Sequence, residues 1–166
     1  MVNSVFYQTA YELLKREIQR LEAFCEALDG DRETKKQKIA EYKCAKYRYA
    51  TVSEIHSMLY NCHRHGEKLK GYHYLLLPID DLFKKHKEYV DLYNEASEED
   101  RPDIGLYYGM MAFADFLIKD TKRKWAGADD WGSIELAHRL DGYEFGRQCL
   151  MTAWKRRETI TDEAKA

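Results

Sequence analysis

Hydrophobic residues recur along the chain at steps of three and four, the spacing of a helix with one buried face. Tyr7, Tyr11, Leu14, Ile18, Leu21, Cys25 and Leu28 alternate these steps without a break. That heptad stripe predicts a helix over 4–29 that meets another helix along a seam. Phe6, Ala10, Leu13 and Phe24 widen the stripe, as on a helix lying against a core. Asp29-Gly30-Asp31 ends it. Glycine accepts the turn that follows a helix, and aspartate caps the next one.

A second stripe, Tyr42, Ala45, Tyr49, Val52, Ile55, Leu59 and Cys62, predicts a helix from 32 to about 65, closed by Gly66. Its length would be about 50 Å against about 39 Å for the first, so part of it is expected to overhang. The short connection makes the two an antiparallel hairpin. The alternative is a break near Thr51, where Thr51, Val52, Ser53 and Glu54 have the form of a capping box.

Beyond the hairpin, Gly66, Gly71 and Pro78 punctuate an irregular stretch. Pro78 suits the first turn of a third helix over 79–96. Asp103 is expected to cap a fourth helix reaching about 124, with Ile104, Tyr107, Tyr108, Met111, Ala114, Ile118 and Thr121 facing inward. Gly105, Gly109 and Ala112 form a strip of small residues on it. Residues 125–132 read as a loop with a tryptophan near each end. Ser133 then caps a fifth helix to about 157, with Leu136, Leu140, Tyr143, Leu150 and Trp154 inward. Gly142 and Gly146 in its middle predict close approach of a neighbour. The expectation is one all-α domain over 1–158. A helical hairpin at 4–65 packs with a three-helix part at 79–157, and 159–166 forms a polar tail.

Composition agrees with this picture. Two prolines in 166 residues are few for a turn-rich β fold, and a charged fraction of 34% fits long solvated helix faces. The net charge of −2 offers no bulk attraction to nucleic acid or anionic lipid. It conceals a basic stretch, since residues 31–50 hold seven basic against three acidic side chains. The four cysteines form no CxxC pair, and no leader pattern precedes them; a reduced, cytoplasmic setting is expected. No apolar run approaches the length of a membrane span.

Residues 41–49 interleave basic and aromatic side chains, a combination that pairs phosphates and stacks on bases. On a helical wheel Tyr42 and Tyr49 join the core stripe, whereas Lys36, Lys43 and Tyr47 lie near the opposite face. Lys35, Lys36, Lys43, Lys46, Tyr47 and Arg48 are therefore the candidate nucleic-acid or acidic-partner contacts. Trp125 and Trp131 are candidate protein contacts, because tryptophan is favoured at interface hot spots. The competing expectation is that both rings pack beneath the loop. Cys62 and His65 have a zinc-like spacing without two further ligands. Glu135 and His138 have the ExxH spacing of di-iron bundles, but the chain holds one such motif where two are required. Catalytic, phosphate-binding and dinucleotide-binding motifs are absent from the sequence, so no cofactor and no metal are expected.

The leading expectation is a non-enzymatic protein-interaction module, an adaptor or inhibitor. A nucleic-acid-associated protein is the alternative, and a metalloenzyme around Glu135 and His138 is the third. Heptad stripes can be satisfied within or between chains, which leaves a homo-oligomer open.

Overall fold

In a computed structural model of the chain, residues 4–65, 91 and 94–165 are described. They form an all-α bundle of five helices: α1 Val5–Asp29, α2 Arg32–Gln37, α3 Ile39–His65, α4 Arg101–Ala126 and α5 Asp130–Lys165. The expected helix over 79–96 falls almost wholly outside the described residues. Among those residues, no helix is long and apolar enough to cross a membrane.

Ser4 caps α1 by accepting the Tyr7 backbone N–H at 3.0 Å. The first half of α1 buries Phe6, Ala10 and Leu14, while Tyr7 and Tyr11 are only partly buried. This half is wedged among α3, α4 and α5, so its buried face is wider than one seam and rotated toward Phe6. Its second half meets α3 and, at its end, α2, and there the expected positions Leu21 and Cys25 pack against Ala45.

The helix expected over 32–65 is divided. Asp31 caps the six-residue α2, and Lys38 leaves the helical conformation with φ −110° and ψ 28°. Lys35 Nζ and Tyr42 Oη both donate to Asp29 Oδ1, at 2.8 and 2.7 Å, which ties both sides of this break to the end of α1. As far as it is described, α3 has 27 residues against the 25 of α1. The helix is continuous through Thr51, which is buried; its hydroxyl donates to the Tyr47 and Arg48 carbonyls inside its own helix and caps nothing.

Antiparallel α4 and α5 complete the bundle. Met110 and Phe113 fill the core alongside Ala114, where the sequence stripe had placed Met111. Asp103 does not begin α4. It lies in the first turn, where it accepts from Ser4 Oγ and from Arg157 Nε. Nearby, Phe6, Tyr107 and Trp154 pack ring against ring, with Tyr107 and Trp154 stacked at 4.5 Å. Residues 159–165 continue α5 as helix.

Gly142 and Gly146, in the middle of α5, permit a close approach to α3. A methyl group at Gly142 would stand 1.8 Å from Thr51 Oγ1, and one at Gly146 would stand 2.4 Å from Ile55 Cδ1. Only a residue without Cβ lets α5 lie this near α3.

Candidate functional site

The basic stretch divides according to what each side chain meets. Lys36 and Lys43 are exposed. Lys35 pairs with Asp29 and lies over the Tyr42 ring at 4.3 Å. The Asp29 carboxyl is held below its ordinary range by the hydrogen bonds from Lys35 and then Tyr42. Lys46 also lies over Tyr42, at 5.3 Å. These lysines surround one tyrosine near the α1–α2 junction.

Arg48 and Tyr47 turn toward α5. The Arg48 guanidinium pairs with Glu17 of α1 at 3.2 Å and with Asp141 of α5, and stacks on Phe145. It thereby joins three helices. Burial alone would raise the Glu17 carboxyl. The hydrogen bonds and charges of Arg20 and Arg48 outweigh it and leave the group below its ordinary value. Tyr47 was expected to face solvent. It is half-buried instead, stacked at 6.2 Å on His138 with the Arg139 guanidinium over its ring. A signal for this was present: Arg48 follows Ala45 by three and precedes Val52 by four, which is the spacing of the buried stripe.

Glu135 and His138 are likewise engaged, Glu135 with Arg139 at 2.9 Å and His138 with Tyr47. Cys62 is buried, and burial pushes its thiol up to about 12. Among the described residues no three His, Cys, Asp or Glu side chains come together as a metal site. Beside Arg48, a groove of about 550 Å³ opens between α1 and α3. Its lining is mainly apolar, with Leu21, Phe24, Ala40 and Ala45 below Arg20 and Glu41.

The tryptophans lie elsewhere, at the corner where α4 turns into α5. The connection is only residues 127–129, shorter than the expected loop, so Trp125 lies in the last turn of α4 and Trp131 in the first turn of α5. Asp129, and not Ser133, caps α5: its carboxylate accepts the Gly132 N–H at 2.7 Å and its carbonyl the Ser133 N–H at 2.9 Å. The expected packing of both rings under a loop fails at Trp131, which is 80% exposed. Ile134, one turn further along the same face, is 53% exposed, and Trp125 is 39% exposed.

No protein family, curated protein or solved structure matches this chain. Its own geometry therefore carries the functional reading. At the α4–α5 corner, large apolar side chains face solvent; in the basic stretch, four of the six candidate contacts already have partners within the fold.

Proposed function

We propose that this chain is a non-enzymatic protein-interaction module, an adaptor or inhibitor that binds through the α4–α5 corner. The observation that carries the reading is Trp131, 80% exposed with Ile134 beside it. Tryptophan concentrates binding energy at interface centres because one rigid ring buries a large area at little entropic cost. Exposing it without a partner gives up the burial of a large apolar side chain, roughly 1.5–3 kcal/mol. Elsewhere among the described residues the exposed large hydrophobic side chains are Ile39 at 44% and Tyr60 at 43%, well below Trp131.

The chain's working compartment is proposed to be the reducing cytoplasm, supported by its four free cysteines. The nucleic-acid alternative has less support, since Lys35, Lys46, Tyr47 and Arg48 already have protein partners.

Affinity capture from a nuclease-treated extract, with wild-type chain and Trp131→Ala as paired baits, tests the reading. A protein recovered by the wild type and lost with Trp131→Ala is expected. Recovery that is equal for both baits, or no recovery above background, would overturn it.

A further inference from the structure

Tyr7 and Tyr11 lie one turn apart on α1, and His56 and His63 lie two turns apart on α3. The four rings pair across the seam between the two helices. Tyr7 stacks on His63 with ring centres 3.6 Å apart and planes 11° from parallel. Tyr11 meets His56 at 4.5 Å, and the two tyrosines are 5.6 Å apart. All four rings are half-buried. The tyrosines pack on the buried core that includes Phe6, Ala10, Val52 and Ile55.

The two histidines differ in what surrounds them. His56 Nε2 is shut off from solvent and has no hydrogen-bond partner. A neutral imidazole can leave that nitrogen bare. An imidazolium would turn it into a buried N–H with nothing to donate to. The Lys15 ammonium already lies over the Tyr11 ring, 5.7 Å from its centre. A charged His56 would bring a second cation to that ring. Glu12 attracts the charge, but burial and Lys15 outweigh it and hold the His56 imidazole below its ordinary value. At His63 burial also disfavours the charge, yet Asp103 of α4 favours it, and a cation stacked on the Tyr7 face is itself attracted. His63 therefore tolerates a proton in place, and His56 does not.

We infer that His56 is a pH-operated latch on the α1–α3 seam: neutral, it closes the edge against Tyr11; protonated, it leaves the seam and loosens the first half of α1. The inference goes beyond the interaction reading and does not depend on it. Rotating the side chain outward gives the buried N–H water to donate to and takes the ring off Tyr11. The core on the other side of α1 stays packed, so the change is a local opening and not unfolding.

Amide hydrogen exchange of the full chain, read by mass spectrometry at about pH 7.5 and about pH 5 and corrected for its intrinsic pH dependence, is the test. Residues 7–15 are expected to exchange severalfold faster at the lower pH, and residues 142–153 of α5 much less so. His56→Phe keeps a ring on Tyr11 without a titratable nitrogen and should abolish the difference, whereas His63→Phe should retain it. Lys15→Gln removes a like charge and should reduce the difference; Glu12→Gln removes the attracting charge and should enlarge it. Residues 7–15 that exchange alike at both pH values, an equal acceleration in α5, or a difference that survives His56→Phe would overturn the latch. The two charge variants leave all four rings in place, and a difference that responds to neither would overturn it as well.

Discussion

The middle of α5 and its first turn obey opposite rules. In the middle, the smallest residues, Gly142 and Gly146, are buried against Thr51 and Ile55. In the first turn, the largest residue, Trp131, is left in solvent. Burial here follows helix separation. Where α5 presses on α3, any Cβ is too much. Beyond the end of that contact, the Trp131 ring is left 80% exposed. The middle of α5 serves the packing of the bundle, and its first turn is the contact proposed for an external partner.

The comparison is broken most forcibly from the packed side. Leu150 is fully buried among α1, α3 and α4, and Leu150→Ala should cost about 3 kcal/mol in denaturant unfolding. Gly142→Ala should cost about 1–2 kcal/mol. Helix propensity alone predicts the opposite sign, since alanine favours helix by about 1 kcal/mol over glycine. Combining it with Thr51→Ala should recover part of the loss, because the closest obstructing atom is Thr51 Oγ1. Arg48→Ala should cost about 1 kcal/mol, since it removes the ion pairs that bind α3 to α1 and α5. An effect on stability of that kind marks Arg48 as a structural residue and weakens the nucleic-acid alternative.

A further prediction concerns pH. His63 stacks on Tyr7 at 3.6 Å, and His56 packs on Tyr11 with its Nε2 buried and without a hydrogen-bond partner. Burial is the largest influence on both and lowers both from the ordinary value of 6.5. Lys15 adds to the effect at His56, while Glu12 opposes it there and Asp103 opposes it at His63. A histidine whose folded value is depressed binds protons more readily when unfolded. Stability should therefore be full above pH 6.5 and fall as pH drops below it through the folded values. Unfolding midpoints from pH 8 to 5 check this, and His56→Phe should flatten part of the slope. A midpoint that rises on acidification in this window would contradict the neutral, buried state of the pair.

Much of the bundle was legible from periodicity. The α3 stripe from Ala45 to Cys62, the stop at Gly30 and the close approach at Gly142 and Gly146 follow from spacing and from glycine's lack of a Cβ. The break at Lys38 has no proline or glycine to announce it; it is held from outside by Asp29, thirteen residues before Tyr42. Met110 and Phe113 lie in an apolar run, Met110, Met111, Ala112 and Phe113, where several faces look equally hydrophobic. Trp131 depended on where α5 begins. Placing the cap at Ser133 puts the ring in a loop that can fold over it, whereas the cap at Asp129 puts it on a helix surface aimed at water. A shift of four residues in one boundary removes the expectation that this ring packs under a loop and leaves the other, that it is a candidate contact.

The smallest expected change in stability is also the most informative. Trp131→Ala should alter unfolding free energy by less than about 0.5 kcal/mol, as at exposed sites without structural contacts. The account is tested most directly by measuring unfolding and binding on this one variant. Unchanged unfolding together with lost capture of the partner protein is the predicted result. A loss of stability like that of Leu150→Ala, or binding that survives intact, would contradict the claim that the α4–α5 corner serves binding and not packing.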